Sequence, residues 1–299
     1  MKIEQCISCG SKRSRVCSSA DGFKEIFGNR EFVQEAYSIR QCHECGLYFK
    51  DHVISPELLN DYYNAFDFTA WQPSGKYPTE ELVDAFLSGK TNLRVLDYGC
   101  SEGRYLSKFT GIHQCYGFDI DERALKLAAE KKINVIQEAE FDKYKDHFDV
   151  IILSDVFEHS MAPTALLKKL FSMLSANGEL IIMTGYADAP AAAYDLANFW
   201  YFKTIQHVCM MGDAYIHFIQ RTLQVKSLKK TYCSHYNSSL GKRLFYGTRF
   251  GLFRFVNSNR RNPLVRFLSL VPYVKKVTGW KVLPYHPYSK DHVVLFLQR

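Results

Sequence analysis

Two cysteine pairs and one glycine turn between carboxylates are the parts of this 299-residue sequence best suited to chemistry. Cys6-x2-Cys9 and Cys42-x2-Cys45 are separated by 32 residues, and Gly10 and Gly46 follow the two pairs directly. Each pair fits a tight knuckle, and two knuckles make a closed tetrahedral four-sulfur site. Four thiolates leave no open position, so the expected ion is structural Zn2+. It would stabilise residues 1–50, a segment too short for a good core of its own. Cys17 lies between the pairs and is read as spare. The glycine turn is VLDYGCSEG, residues 95–103. Gly99 permits a tight bend and Gly103 a close approach of helix to strand. N–H groups where the next helix begins can hold a carboxylate. Asp119 ends the following apolar run, where a carboxylate can accept both hydroxyls of a ribose. The loop lacks the G-x-G-x-x-G of a dinucleotide site.

These groups must be positioned by alternating strands and helices. Pro56 and Pro78 each begin a helical lead-in within residues 51–90, with acids in the first turn. From Leu93 the sequence repeats strand, turn and helix. Expected strands are Leu93–Leu96, Cys115–Phe118, Asn134–Gln137, Phe148–Leu153, Glu179–Met183, Leu223–Ser227 and Asp291–Arg299. Expected helices are RYLSKF after the glycine loop, ERALKLAAEKK capped by Asp121, and a third from Pro163, ended by a left-handed cap at Asn177-Gly178. Short apolar strands alternating with helices imply an α/β fold with a parallel sheet covered on both faces. The ligand crevice of such a sheet lies beyond the carboxyl ends of its strands, which gathers Asp97, Asp119 and Asp155 at one edge.

The series VLDYGCSEG, YGFDID and FDVIILSDVFEHS resembles that of class I methyltransferases. The resemblance covers about residues 1–225 and the final strand, and CHECGLYF followed by DYYNAF is similar to the zinc-binding lead-in of bacterial members associated with sugars and polysaccharides. It implies a Rossmann-like seven-stranded sheet binding S-adenosylmethionine. The methionine part would lie in the loop of Asp97, Tyr98, Gly99, Cys100 and Gly103, and the ribose on Asp119 with Ile120. The adenine would lie near Glu138, Ala139 and Glu140, with Ser154 and Asp155 on the floor. Ser101 stands where the family usually has a glycine. The resemblance also implies an acceptor lid at Trp200–His207.

For a neutral acceptor a base must remove a proton. His207 leads the candidates because imidazole titrates near neutral pH, with His159 and Asp155 behind it. His207 can equally be a structural hydrogen-bonding group. The structural reading is the stronger one for His159, because the adjacent Glu158-His159 pair faces two directions on a helix. Tyr186 can reach the crevice or simply pack.

The organisation expected is a zinc module at 1–50, a helical lead-in at 51–90, a catalytic core at 91–236 and 287–299, and a basic aromatic insertion at 237–286. Lys226–Arg299 carries fifteen Lys and Arg against one acid, Asp291, while the other 225 residues hold 23 against 30. The insertion mixes these cations with aromatics such as Phe245, Phe267, Tyr285 and Tyr288. That balance suits a phosphate-bearing glycan acceptor or an anionic membrane surface, or else a solvated helical subdomain. Nucleic acid ranks lower, since no RNA-binding motif is recognisable and the remainder is net acidic. The sequence has neither a secretory apolar core at its start nor an apolar run of membrane-spanning length. The expected location is the cytoplasm, with peripheral attachment to the inner membrane face as an option. Three functions compete: methylation of a sugar or nucleotide-sugar, methylation of an RNA base, and a zinc-binding scaffold without catalysis.

Overall fold

The computed structural model describes residues 1–65, 76–237, 239–259, 261–268, 270–280, 284 and 290–299. The N-terminal strands are β1 (Ser14–Ala20), β2 (Phe23–Phe27), β3 (Arg30–Gln34), β4 (Tyr37–Cys42) and β5 (Tyr48–Lys50). Helices α1 (Pro56–Ala65) and α2 (Pro78–Ser88) follow, each opening on the expected proline. Then come β6 (Arg94–Tyr98), β7 (Gln114–Phe118), α3 (Glu122–Glu130), β8 (Asn134–Val135), β9 (Phe148–Ser154), α4 (Pro163–Met173) and β10 (Leu174–Gly185). The chain continues through α5 (Pro190–Tyr194), β11 (Cys209–Met210), α6 (Asp213–Thr222), β12 (Ser227–Cys233), α7 (Leu240–Ser258), α8 (Pro263–Leu268), α9 (Pro272–Thr278) and β13 (His292–Gln298).

The main sheet has seven strands in the order β12-β13-β10-β9-β6-β7-β8. β10, β9, β6, β7 and β8 are mutually parallel, and β13 runs antiparallel between β10 and β12. This is the Rossmann-like α/β architecture expected. Its central strands are buried on both faces, with Leu96, Ile151, Leu153 and Ile182 packed on one side and Val95, Val150, Ile152 and Ile181 on the other. Because β13 is antiparallel, it begins at the edge where the parallel strands end. His292 therefore lies level with Gly185 of β10 and Cys233 of β12.

Several expected boundaries move, each for a local reason. Leu223 is not in a strand; it follows Ile216 and Ile219 at helical spacing and caps α6, so the sixth strand is β12. The segment after the glycine loop forms only a four-residue 3-10 helix, Leu106–Phe109. The third strand stops at Val135, because Gln137 begins a 3-10 helix over Glu138–Tyr144. Helix α4 ends at Met173 with Leu174 already extended, so Asn177-Gly178 is no helix cap. β10 starts early and breaks register between Leu174 and Glu179.

Residues 1–50 do not form a separate core. β11 adds to β5 to complete a four-stranded sheet, β1-β4-β5-β11. Tyr37, Ile39, Leu47 and Phe49 share one apolar cluster with Leu153, Phe157 and Tyr215. Within 237–286, the described helices α7 and α9 pack on α5 through Ala191, Phe250, Phe253 and Val277, and α8 packs on α7 and α9 through Val256, Val265 and Val274. Phe245 and Phe267 are exposed, and Tyr285 and Tyr288 lie outside the described residues.

Candidate active site

A cavity of about 940 Å³ opens at the carboxyl edge of the parallel strands. Pockets for single small ligands run from roughly 300 to 1,000 Å³, so this one lies at the upper end of that range.

At one end β6 delivers Asp97 and Tyr98 into the glycine loop. Gly99 has φ +87°, and a Cβ there would lie 2.3 Å from Val156 Cγ2. Ser101 also takes a left-handed conformation, φ 48°, and its N–H donates to Asp119 Oδ2 at 2.7 Å. Asp119 Oδ1 accepts the Asp121 N–H at 3.0 Å, which leaves lone pairs on both oxygens for a diol. Asp97 is buried, and its Oδ1 has no hydrogen-bond partner among the described residues. Burial, with the nearby Asp119 charge, pushes its carboxyl up to about 7. A cationic ammonium in the cavity would satisfy that oxygen, so the donor set fits the methionine end of S-adenosylmethionine. The expected helix N-terminus is replaced by a cation: Arg104, ion-paired with Glu80, lines the same wall.

Gly99, Cys100, Ile120 and Ser154 line the cavity as well. Gly103 does not; its left-handed φ of 73° closes the turn behind the loop. Cys100 is buried and its thiol is pushed up by burial and by Asp97, so it stays protonated. Ala139 and Glu140 do not line the cavity. The 3-10 helix turns Glu138 and Phe141 inward instead, and Glu140 faces Gln137 N–H (3.2 Å) and Lys143 Nζ (3.1 Å). Tyr98, Phe118 and Phe141 form an aromatic cluster there, with centroids 4.8–6.0 Å apart.

The other end holds Asp155, His159 and His207, all three lining the cavity. Asp155 follows β9 with φ 49°, a left-handed conformation that turns its side chain off the strand line. Trp200–His207 is a packed wall rather than an exposed flap: Tyr201, Phe202, Ile205 and Gln206 are buried. His207 Nδ1 donates to the Tyr201 carbonyl, which leaves Nε2 as the lone-pair nitrogen, 3.9 Å from Glu158 Oε1. Burial, then His159, holds the His207 imidazolium well below its usual range, so the ring is a weak base. His159 is pushed down to about 4 by burial, and its Nδ1 meets Tyr63 OH at 3.0 Å. Tyr186 is held away by Asp213 at 2.8 Å.

Sequence reasoning missed Tyr201 as a functional group and placed Glu158 near the chemistry only as the neighbour of His159. The Tyr201 hydroxyl meets Asp155 Oδ1 at 2.7 Å and also contacts Glu158 Oε1. Glu158 is fully buried, and Thr184 Oγ1 donates to its Oε2 at 2.7 Å. Burial, with the charge of Asp155, pushes the Glu158 carboxyl up to about 8. His235 and His292 were missed too, and they lie beside Asp155.

Residues 63–220 match the sequence model of a family described as a methyltransferase domain. The chain belongs to that family. Its fold is that of the class I, S-adenosylmethionine-dependent methyltransferases. The chain is 34% identical over 109 residues to a curated Helicobacter pylori protein named tRNA U34 carboxymethyltransferase, covering 32% of this chain and 42% of that one. A namesake from a Sulfurovum species is 30% identical over 160 residues, half of each chain. The chain thus spans half or less of these relatives' length. Among solved structures, a 1,6-didemethyltoxoflavin-N1-methyltransferase from Burkholderia thailandensis shares the fold. Its TM-score is 0.50 at 12% identity, covering 94% of this chain and 99% of that one.

The methyltransferase also carries the cysteine cluster. Cys6, Cys9, Cys42 and Cys45 bring their sulfurs within 4.8 Å of one another, with Cys6–Cys45 and Cys9–Cys42 at 3.5 Å. Zn–S bonds of about 2.3 Å place tetrahedral sulfurs roughly 3.8 Å apart, so the set fits zinc. Gly10 and Gly46, φ 73° and 76°, donate back to the Cys6 and Cys42 carbonyls and close the knuckles.

Proposed function

We propose that the chain methylates a small polar acceptor, a sugar or nucleotide-sugar, while Cys6, Cys9, Cys42 and Cys45 hold a structural zinc ion. The observation that carries this reading is a single cavity with the glycine loop at one end and a buried wall of carboxylates, imidazoles and aromatic rings at the other. Bound S-adenosylmethionine would supply an electrophilic methyl group on its sulfonium. Asp97 and Arg104 would hold the ammonium and carboxylate of its methionine part, and Asp119 its ribose.

Asp155 is the group suited to take the proton of an acceptor hydroxyl. Tyr201 has one hydroxyl proton and two carboxyl neighbours, so it cannot donate to both. Glu158, deep in the protein and raised, carries a proton and donates to the Tyr201 oxygen; Tyr201 in turn donates to Asp155. Asp155 Oδ1 is thereby held by the Tyr201 hydroxyl at the cavity wall. His207 positions this cluster through the Tyr201 carbonyl rather than acting as the base. Trp200, stacked 6.0 Å from Tyr236, offers a flat apolar face to a sugar ring.

An RNA base as acceptor is the second reading, favoured by the name of the curated relatives. Residues 240–280 hold no Asp or Glu, which suits a phosphate backbone. The same stretch exposes Leu240, Leu244, Phe245, Leu264, Phe267 and Leu270, which suits an anionic lipid surface better. Among the described residues no helix is long and apolar enough to cross a membrane.

The test is a methyl-transfer screen against nucleotide-sugars and RNA, read by release of S-adenosylhomocysteine. Turnover of a nucleotide-sugar, abolished by Asp119→Ala, supports the first reading. Turnover of RNA alone overturns it.

A further inference from the structure

We propose that Asp155, His235 and His292 form a second metal site, for a divalent first-row transition cation, with open positions for acceptor oxygens. One ligand atom from each of the three lies within 4.8 Å of the others. His292 Nε2 is 2.9 Å from His235 Nδ1 and 3.8 Å from Asp155 Oδ1. Metal–ligand bonds of about 2.1 Å place neighbouring ligand atoms roughly 3–3.5 Å apart, a span that the 2.9 and 3.8 Å separations bracket.

Proton bookkeeping sets which nitrogens can coordinate. The Asp291 carboxylate can only accept, and it lies 3.2 Å from His292 Nδ1, so in the neutral ring Nδ1 carries the proton and Nε2 the lone pair. A cation on that lone pair displaces the hydrogen bond from His235 Nδ1, and the His235 proton then sits on Nε2. That oxygen also accepts the His235 backbone N–H at 3.0 Å. One buried carboxylate thus orients both histidine-bearing segments, the outer-shell arrangement that fixes imidazole ligands in metal sites. The sheet supplies the rest: β12 and β13 bring their ends to the same edge as β9, which delivers Asp155.

The site is buried yet opens on the cavity. His292 is fully buried, with Trp200 stacked at 6.2 Å and Tyr201 edge-on at 4.7 Å. Asp155 and His235 line the cavity wall directly in front of it. Two imidazoles and one carboxylate fill one face of an octahedron and leave the other face open. Coordination through Asp155 Oδ1 leaves Oδ2 for an acceptor proton. The neighbouring trio of Glu158, His159 and His207 is less suited, because Tyr201 and Thr184 engage both Glu158 oxygens, whereas Tyr201 meets only one oxygen of Asp155. The ligand class for the open positions is a hard oxygen donor, such as the paired hydroxyls of a sugar. That last point rests on the proposed acceptor; the cation site itself does not.

The test uses the full chain with its cysteine site loaded with zinc and no S-adenosylmethionine present, titrated with Mn2+ and followed by loss of the free-ion EPR signal. Mn2+ prefers nitrogen and oxygen donors and leaves thiolate sites to zinc. The expected result is one Mn2+ bound per chain, weakened at least tenfold in His235→Ala and in His292→Ala and unchanged in His159→Ala. His235→Ala changes a loop residue and keeps the test open should the strand variant fail to fold. Absence of saturable binding to about 1 mM Mn2+, or binding that survives His235→Ala, overturns the proposal and leaves a hydrogen-bonded histidine pair. Either outcome is independent of whether methyl transfer to a sugar is observed.

Discussion

The Tyr201 hydroxyl lies 2.7 Å from Asp155 Oδ1, and these residues stand 46 positions apart in the chain. Its other carboxyl neighbour, Glu158, is sealed from solvent, so the single phenolic proton is committed to the carboxylate that faces the cavity. Removing that hydroxyl leaves Asp155 without its donor and Glu158 without an acceptor. Tyr201→Phe should lower kcat by about 10²-fold, the low end of what positioned acid–base groups contribute. Affinity for S-adenosylmethionine should stay within threefold, as calorimetry would show. A variant with full kcat would remove Tyr201 from the mechanism.

Glu158 makes a pH prediction of its own. Its folded value, about 8, lies above the ordinary 4.5, so the folded chain binds a proton that the unfolded chain releases. The stability it contributes is fully present below about pH 4.5 and is lost as pH rises through 8. Glu158→Gln fixes the neutral form and keeps a donor for Tyr201. The variant's Tm relative to wild type should therefore rise by several degrees between pH 5 and 9. A constant Tm difference across that range would mean that Glu158 does not hold the proton.

Asp97 is raised in the same direction but faces the ligand. In the free chain its contribution to stability is present below about pH 4 and lost as pH rises through 7. A cationic ammonium favours the ionised carboxylate, so S-adenosylmethionine affinity should tighten roughly tenfold from pH 6 to 8. Asp97→Asn should bind more weakly and lose that dependence. Calorimetry at three pH values tests this, and an unchanged slope in the variant would place the ammonium elsewhere.

The donor half of the site was legible because its residues are close in sequence. Asp97, Gly99 and Asp119 are set by one strand, one turn and the next strand, and local spacing carries that pattern. The shift from Ala139 and Glu140 to Glu138 and Phe141 was not legible, since it depends on where a 3-10 helix starts its turn. The acceptor half is built across the sheet. His235 and His292 meet only because β12 and β13 lie at positions in the sheet that no local periodicity encodes. The one signal available was an acid-histidine pair, Asp291-His292, at the start of a strand whose first residue must lie at the ligand edge.

Ser101 tests whether the departure from glycine matters. It holds φ 48°, a region that costs a residue with a Cβ about 1 kcal/mol or more. Its N–H to Asp119 is a backbone contact, which glycine keeps. Ser101→Gly should raise Tm by about 1–3 °C once the greater freedom of glycine in the unfolded chain is subtracted. S-adenosylmethionine affinity should change less than threefold. A loss of affinity would show that the serine hydroxyl itself contacts the ligand.

The cysteine site should act on the acceptor end and not on the donor end. Glu25, in β2, accepts the Ile205 N–H at 3.0 Å and the Tyr62 hydroxyl at 2.7 Å. Lys50, at the end of β5, is buried and donates to the Thr204 carbonyl at 2.5 Å. Both contacts brace the wall that carries His207; Lys50 stands on β5, directly after the second knuckle, and Glu25 on β2, which follows β1, the partner of β4. The glycine loop packs mainly in the other apolar cluster, through Cys100, Leu106 and Ile133. Cys42→Ala should therefore lose the bound zinc and lower Tm by more than about 5 °C. At a temperature where the variant is folded, its acceptor KM should rise several-fold while S-adenosylmethionine affinity holds within threefold. Equal losses at both ends would mean that the metal supports the whole sheet and that the wall is not its particular load.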